Sequence, residues 1–299
     1  MTDVSRFVDR QMNDSTRGWR ADLNFLLTNR IPRHAATALM GWISGVRWGP
    51  FVKPALWLWR HCAPLHLEEA EHSHFDSIGA CFTRRLKPDA RPVQTNTQWA
   101  CSPCDAIVGA CGRVEDGLVL QAKGFPYHLR DLFVDAEQWQ PYLNGHYVTL
   151  RLTASMYHHF HAPHDLILKH VTFIRGDTWN VNPVALRRVQ KLFCKNERAV
   201  LHTELVSGYT MALVPVAAIL VASLRLLALP QALNARHQGA TEWPMDVSYR
   251  KGQEMGWFEH GSTIIVFTPT EVALRPQVRV GDQVKMGQAL WEIAPLSSD

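Results

Sequence analysis

The chain has 299 residues, and 46% of them are hydrophobic, which is enough to bury a sizeable core as one large domain or two smaller ones. Its 31 basic and 27 acidic residues give a formal net charge of +4, a mild excess that argues against a dedicated nucleic-acid-binding protein. Six cysteines without an apolar N-terminal leader favour a reducing, cytoplasmic setting.

The first 60 residues contain five of the eleven tryptophans and nine basic side chains against four acidic ones. Residues 35–59 are rich in Leu, Ile, Ala and Trp, but charges and prolines at 47, 50, 53 and 54 interrupt them, which predicts two short helices instead of a membrane span. Because tryptophan favours the headgroup layer and basic side chains attract anionic lipid, segment 1–65 is predicted to lie on a membrane surface. A helical subdomain core or a dimer contact would explain these tryptophans equally well.

From about Pro92 the pattern changes to short β-rich runs separated by Gly, Pro, Asn and Asp. The apolar run 211–229 is typical of buried strand, and the tail 278–290 has a glycine-punctuated strand–turn–strand pattern. We therefore expect a β-rich domain over 66–299 with helical insertions. Its predicted strands are 106–111, 118–122, 147–152, 199–205, 263–267 and 272–274.

Four histidines, His158, His159, His161 and His164, fall within seven positions. In a strand His159 and His161 would share a face, whereas in a helix His158 and His161 would, and so would His161 and His164. Histidine is the usual general acid or base near neutral pH, although an exposed histidine-rich loop is the plainer interpretation. A zinc site would need a further ligand from elsewhere, and no metal is predicted.

Two other places could carry chemistry. Gly261 and Ser262 stand at the mouth of a predicted strand, where glycine's tolerance of positive φ can expose its carbonyl to the neighbouring hydroxyl, although most such pairs are plain turns. Asp105 precedes another apolar strand, a usual position for a turn residue. Cys101 and Cys104 have C-x-x-C spacing, but no second pair follows, so we predict ordinary thiols.

Taken in order, these segments resemble the phosphatidylserine decarboxylase family over roughly the last two thirds of the chain. The resemblance rests on five features: the acid Asp105, L-Q-A-K-G at 120–124 with Tyr127, Y-H-H-F-H at 157–161, G-D-T-W-N-V-N at 176–182 with N-E-R at 196–198, and K-G-Q-E-M-G-W-F at 251–258 before G-S-T at 261–263. It implies a self-processing, pyruvoyl-dependent lyase that converts phosphatidylserine to phosphatidylethanolamine.

The resemblance also implies residue roles. Asp105, His161 and Ser262 would form the self-processing triad, in which Asp105 orients His161, His161 takes the Ser262 proton, and the hydroxyl attacks the Gly261 carbonyl. Cleavage between Gly261 and Ser262 would leave a β chain of residues 1–261 and an α chain of residues 262–299, which begins with a pyruvoyl group derived from Ser262. This ketone would serve as the electron sink for decarboxylation without an added cofactor, with His158 assisting that step.

The expected fold class is α+β, with a β-rich catalytic domain over 66–299 behind an N-terminal helical, membrane-associating segment over 1–65. The expected location is the cytoplasmic face of the cell membrane, with peripheral attachment. The expected partners are the phospholipid substrate, an anionic membrane surface, the two chains of the cleaved proenzyme and a second copy in a homodimer, without nucleic acid.

Three alternatives stay open. The same Asp105, His161 and Ser262 could serve a serine hydrolase, although no G-x-S-x-G elbow surrounds Ser262. Met156 and His159 stand where the family has an acid and an arginine, on either side of the Tyr157-His158 pair. A divergent member with a changed substrate, or a non-enzymatic one that binds a membrane or a partner, would also fit.

Overall fold

The structure is a computed structural model that describes residues 32–120, 125–133, 135–219, 223–234, 237–259 and 263–295, together with positions 19, 22, 23, 25 and 26. Over these ranges the α-helices are α1 (Arg33–Gly45), α2 (Gly49–Cys62), α3 (Ile78–Phe82), α4 (Leu129–Phe133), α5 (Ala136–Trp139), α6 (Pro183–Leu186) and α7 (Leu192–Lys195). Single 3-10 turns occupy Leu67–Glu69, Pro88–Ala90 and Gln140–Tyr142.

Strands dominate the chain after residue 98, so the predicted α+β class is confirmed in its mixed, sheet-rich character. The first group is β1 (Trp99–Cys101), β2 (Ala106–Arg113), β3 (Leu118–Leu120), β4 (Pro126–His128), β5 (His146–Arg151), β6 (His159–His161), β7 (Leu166–Ile174), β8 (Arg198–Leu205) and β9 (Thr210–Val216). The second group is β10 (Ser223–Leu226), β11 (Leu233–Asn234), β12 (Glu242–Tyr249), β13 (Glu254–Phe258), β14 (Thr263–Thr268), β15 (Val272–Leu274), β16 (Gln283–Val284) and β17 (Ala289–Ile293).

The centre of the fold is an antiparallel eight-stranded sheet in the order β12-β7-β8-β9-β14-β5-β2-β16. One face packs against a four-stranded sheet, β11-β10-β13-β6, and a three-stranded sheet, β1-β17-β15, and together they enclose the larger apolar core. The other face packs against α4, α6 and α7 to form a second core. Strands buried on both faces read as continuous apolar runs, which explains why β14 is recognisable in the sequence.

Strand β14 lies deep in this sheet, between β9 and β5. Its alternate side chains enter different cores, because Ile264 and Val266 belong to the core between the sheets and Ile265 and Phe267 to the core under the helices. Fully burying such side chains contributes about 1.5–3 kcal/mol each. The first residue of this central strand is Thr263.

The N-terminal helices confirm the predicted pair. Helix α1 ends at Gly45, and α2 begins at Gly49 with Pro50 in its first turn, where the missing N–H has no intrahelical partner to lose. Helix α2 rests on a small apolar cluster through Leu56 and Trp59. Over the described residues, neither of these helices nor any other has both the length and the apolar character needed to traverse a bilayer.

The two longest strands that were not predicted are β7 and β12, and β1, β4, β11 and β13 were not predicted either. The tail differs from a simple hairpin. Strand β16 pairs with β2 in the large sheet, whereas β17 pairs with β1 and β15. The turn between them places Gly287 at φ 88°, where an added Cβ would lie 2.5 Å from the Pro92 carbonyl oxygen, so only glycine fits. This turn divides the tail between two sheets.

Candidate active site

The strand register brings the ends of several strands to one edge of the large sheet. Thr263, the first residue of β14, lies opposite Val216 at the end of β9 and Arg151 at the end of β5. Val216 in turn lies opposite Arg198 at the start of β8, and Arg151 lies opposite Ile107 near the start of β2. We call this line of strand ends the site edge. Asp105, which directly precedes β2, therefore belongs to it.

Between β13 and β14 the chain crosses from the four-stranded sheet to the large sheet, which it enters at the site edge. Phe258, the last residue of β13, donates its backbone N–H to the His158 carbonyl at 3.1 Å, and five positions later Thr263 begins β14. Both Phe258 and Thr263 are fully buried. The predicted cleavage residues Gly261 and Ser262 fall within this crossing and lie outside the described residues.

Strand β6 contains His159 and His161, and these two histidines share a face, as the strand alternative predicted. Tyr157 packs its ring against both His159 and His161, at centroid distances of 5.0 and 5.7 Å. The His158 ring instead packs against Phe82 of α3 at 3.8 Å and is completely buried. The two histidines predicted to act in self-processing and in decarboxylation therefore have different surroundings.

His161 is held in one tautomer. Its Nδ1 lies 2.9 Å from the Gly252 carbonyl oxygen, which can only accept, so Nδ1 carries the hydrogen and donates it. Its Nε2 then accepts from the Tyr157 hydroxyl at 3.0 Å. Burial lowers the pKa of His161 because the imidazolium would lose its hydration. The ring is thus neutral near pH 7, with a basic lone pair on Nε2.

Asp105 reaches the same region but makes different hydrogen bonds. The backbone N–H of His161 donates to the Pro103 carbonyl at 2.8 Å, which places Asp105 two residues from a direct contact with β6. Its carboxylate accepts from Arg91 Nε at 2.8 Å and from the Met286 backbone N–H at 2.9 Å. Among the described contacts, neither carboxylate oxygen bonds to the His161 ring, so the predicted direct orientation of His161 by Asp105 is not present here.

Arg91 links Asp105 to a longer chain of charges. Its guanidinium, only 6% exposed, bridges Asp105 and Glu69, and Glu69 also pairs with Lys285 at 3.4 Å. Truncating one partner of such a buried pair leaves an uncompensated charge, so the arrangement holds Asp105 firmly. Met286 and Lys285 follow the proposed cleavage point, so Asp105 and Glu69 also connect the two prospective fragments.

His159 is committed to contacts within the protein. Its ring donates to Glu254 at 2.8 Å and to the Thr83 carbonyl at 3.0 Å, and it lies between the rings of Tyr157 and Trp257. Burial alone would raise the pKa of Glu254, but its hydrogen bond to His159 and the charges of His159 and Arg85 outweigh burial and lower it. Both ring nitrogens of His159 are thus occupied by acceptors within the protein.

Sequence reasoning assigned no role to Arg91 and none to the Tyr157 hydroxyl. Tyr157 could have been found, because it shares the two-residue period of His159 and His161. Arg91 lies in an irregular stretch before Pro92, and no local pattern connects it with Asp105. The paired thiols Cys101 and Cys104 are both buried, and burial raises their pKa values, which keeps them protonated.

The described part of the chain contains no group of three or more His, Cys, Asp or Glu side chains arranged to hold a metal ion. What it does contain is a β-rich domain with a neutral histidine, His161, a second buried histidine, His158, and an arginine-bound carboxylate, Asp105, at the site edge. This set of groups defines an acid–base site on an α+β scaffold.

Comparison with known proteins agrees with that class. A model of the family described as phosphatidylserine decarboxylase matches residues 78–292. A phosphatidylserine decarboxylase proenzyme of Haemophilus influenzae is 33% identical over 269 residues, covering 87% of this chain and 92% of the relative. The corresponding proenzyme of Brevibacillus brevis is 32% identical over 270 residues, covering 88% and 95%. The chain belongs to the phosphatidylserine decarboxylase family, which confirms the resemblance found in the sequence.

Proposed function

We propose that this chain is a proenzyme that cleaves itself between Gly261 and Ser262 and then decarboxylates phosphatidylserine to phosphatidylethanolamine. The observation that carries the proposal is His161, neutral and fixed in one tautomer, on strand β6, which pairs with the strand β13 that precedes the predicted cleavage point. Family membership and the proenzyme names of the relatives support the same function.

In self-processing, the Tyr157 hydroxyl releases His161 Nε2, which then takes the proton of the Ser262 hydroxyl as Oγ bonds to the Gly261 carbonyl carbon. The proton then passes to the Ser262 nitrogen as the Gly261–Ser262 amide bond breaks, which leaves an ester. Loss of the Ser262 α-proton and cleavage of the Cβ–Oγ bond release the Gly261 carboxylate. Hydrolysis of the remaining dehydroalanine releases ammonia and leaves a ketone at position 262.

Thr263, the next residue in the sequence, is buried, and so are Phe258 and His158, which are joined by a backbone hydrogen bond. A ketone held among such residues would be protected from side reactions with solvent. Once formed, the pyruvoyl group supplies the sink for the electrons that carbon dioxide leaves behind. We assign His158 to the substrate carboxylate, because its ring is fixed by Phe82 and its backbone by Phe258. Both ring nitrogens of His159 bind Glu254 and the Thr83 carbonyl and are not free to bind a substrate, which supports phosphatidylserine over a changed substrate.

Intact-mass measurement of the full chain tests self-processing. The wild type is expected to give fragments of residues 1–261 and 262–299, with the small fragment blocked to Edman chemistry, and to release carbon dioxide from phosphatidylserine in micelles. Ser262→Ala is expected to remain one chain. Ser248→Ala, at an exposed position of β12, is the matched control and should be processed normally. Appearance of both fragments from Ser262→Ala would contradict the proposal.

We also propose peripheral attachment of α1 and α2 to the cytoplasmic face of an anionic membrane. Trp42, Trp48 and Trp57 are 71%, 66% and 61% exposed, an unusual state for aromatic side chains in water. Arg47, Lys53 and Arg60 are exposed on the same two helices and the turn between them. Trp59 of α2 stacks on Phe82 at 6.0 Å, and Phe82 contacts His158, so the proposed lipid surface adjoins the site.

Vesicle flotation tests this attachment with the full chain. Replacing Trp42, Trp48 and Trp57 together by Ser should weaken binding to phosphatidylglycerol vesicles at least tenfold, because large apolar surfaces leave the interface. Leu227→Ser, at a 51% exposed position outside α1 and α2, is the control and should leave binding unchanged. Unchanged binding of the triple variant, with a shift in molecular mass on gel filtration, would instead assign the tryptophans to the expected homodimer contact.

A further inference from the structure

The turn between β12 and β13 carries the carbonyl that fixes His161. It runs from Arg250 to Gln253, and it is closed by the Gln253 N–H, which donates to the Arg250 carbonyl at 2.8 Å. Gly252 is the third residue of this turn and has φ 79°, the value that a type II turn requires at that position. We call residues 250–253 the His161 turn.

The Gly252 carbonyl faces His161 only while the His161 turn keeps this conformation. Glycine adopts positive and negative φ about equally readily, so it does not hold the turn by itself. Rotation of the peptide that joins Gly252 to Gln253 would remove the acceptor that lies 2.9 Å from His161 Nδ1. Backbone hydrogen bonds with Ala162, from the Gly252 N–H and to the Gln253 carbonyl, give the turn part of its support.

Asp165 holds the first peptide of the His161 turn. Its Oδ1 accepts from the Lys251 N–H at 2.8 Å. That N–H belongs to the same peptide as the Arg250 carbonyl, which closes the turn by accepting from Gln253. Hydrogen bonds therefore run from the Asp165 carboxylate through two peptide units to His161 Nδ1, and in such a chain each bond polarises the next.

Lys251 holds the same turn through its side chain. Its Nζ donates to the carbonyl oxygen of Asn96 at 2.7 Å and to that of Trp99, the first residue of β1. Hydrogen bonds from a charged donor are stronger than those between neutral groups. The backbone and the side chain of one turn residue are thus anchored to two different segments of the protein.

We propose that Asp165 and Lys251 are positioning residues for His161, an inference that rests on the proposed function. They hold the Gly252 carbonyl against Nδ1, which keeps the hydrogen on Nδ1 and the lone pair on Nε2. Among the described contacts, neither side chain bonds to the ring, and the Asp105 carboxylate does not either. Asp165 therefore orients the histidine through the turn, a task that an acid bonded directly to the ring performs in a serine-type triad.

Nitrogen-15 NMR of the uncut Ser262→Ala chain tests this positioning, and His161→Gln identifies the signals of His161. In the parent chain we expect a protonated Nδ1 and an unprotonated Nε2. Adding Asp165→Ala should move the two nitrogen shifts toward each other, because the ring then also adopts the opposite tautomer. Asp165→Asn keeps an oxygen for the Lys251 N–H and should restore the parent shifts. Asp246→Ala removes a carboxylate that is 77% exposed on β12 and is the control, which should leave the shifts unchanged.

The pH dependence of self-cleavage gives a second readout in the chain that retains Ser262. Asp165→Ala should cleave about 3- to 10-fold more slowly on the plateau, because a hydrogen bond that orients the base is weakened. Burial lowers the pKa of His161 and the Gly252 carbonyl opposes this effect, so the acid limb should move to lower pH when the carbonyl is displaced. Asp165→Asn and Asp246→Ala should stay within about twofold of the wild-type rate.

Unchanged nitrogen shifts in Asp165→Ala would overturn the proposal even if cleavage were slow, because a weakened fold alone would slow it. An equal change in Asp246→Ala would overturn it as well. If Asp165→Ala does not fold, Lys251→Met decides: it should show the same mixture of tautomers, and the parent shifts there would refute the positioning role. A wild type that is neither cleaved nor active would refute the proposed function, whereas the NMR measurement needs no cleavage and still decides the role of Asp165.

Discussion

His158, His159 and His161, the crossing group, lie on or next to β6, whose partner β13 leads into the crossing, whereas His170 and His202, the sheet pair, lie opposite each other within the large sheet. In the crossing group, His159 and His161 bind carbonyl oxygens, a tyrosine and a carboxylate. In the sheet pair, the rings are 6.3 Å apart, and each has an Nε2 that is buried without a hydrogen-bond partner among the described residues. The crossing group is buried and the sheet pair is partly buried, so the clearest difference between them is their hydrogen-bond partners.

The hydrogen-bond partners decide which of these histidines is prepared for chemistry. At His161, burial lowers the pKa while the Gly252 carbonyl fixes the tautomer that leaves Nε2 basic. At His202, burial and the neighbouring His170 lower the pKa to about 4, and Phe133 packs against the ring. The surroundings of His161 leave Nε2 as a base. His202 only packs within the protein, and its lowered pKa makes the fold less stable in acid.

The largest expected effect is on the rate of self-cleavage, which should fall for a variant of the crossing group and stay unchanged for a variant of the sheet pair. His161→Gln should slow cleavage by about 10²- to 10⁴-fold, because the general base for the Ser262 hydroxyl is lost. His170→Gln should cleave at the wild-type rate. The ratio of precursor to fragments over time after cell-free synthesis measures both. Equal loss in the two variants would remove the distinction drawn here.

The next effect concerns the ion pair at the site edge. In an uncleaved Ser262→Ala background, Arg91→Met should lower the free energy of unfolding by about 3 kcal/mol, because Asp105 remains buried without its guanidinium. Lys285→Met, which removes a side chain that is 58% exposed, should cost less than about 1 kcal/mol. Urea denaturation measures both, and Asp105→Leu added to Arg91→Met should recover much of the loss.

His202 of the sheet pair should change how the free energy of unfolding depends on pH in acid. The pKa of His202 is about 4 when folded and about 6.5 when unfolded, so only the unfolded chain binds a proton between these values. Unfolding free energy therefore falls as the pH drops through that window, by about 2 kcal/mol between pH 7 and pH 5. His202→Leu in the Ser262→Ala background should lose correspondingly less. The same slope in both proteins would show that His202 is not responsible.

The smallest expected effect comes from the Tyr157 hydroxyl, which should shift the pH dependence of self-cleavage through His161. The Tyr157 hydroxyl donates to Nε2 and so favours the neutral ring, and its net contribution is of the order of 1 kcal/mol. Tyr157→Phe should therefore move the acid limb of the self-cleavage rate upward by about half a pH unit, with little change on the plateau. A plateau that collapses in this variant would assign Tyr157 a direct part in cleavage.

Sequence reasoning located the central strands because β5, β8, β9 and β14 are buried on both faces and their apolar runs are continuous. It missed β12, whose exposed face and Pro244 and Asp246 interrupt that signal. The shared face of His159 and His161 followed from the period of a strand. The bond between Arg91 and Asp105 joins residues 14 positions apart in irregular chain, so no local pattern could have predicted it.

The position of β14 has one more consequence. The precursor unfolds as one molecule, but after the proposed cut the same event releases two, with the small fragment leaving from between β9 and β5. Refolding of the mature enzyme then becomes bimolecular, so its melting temperature should rise with protein concentration while that of Ser262→Ala stays constant. Folding is therefore a unimolecular reaction only before the cut, and after the cut the enzyme can refold only when its two fragments meet.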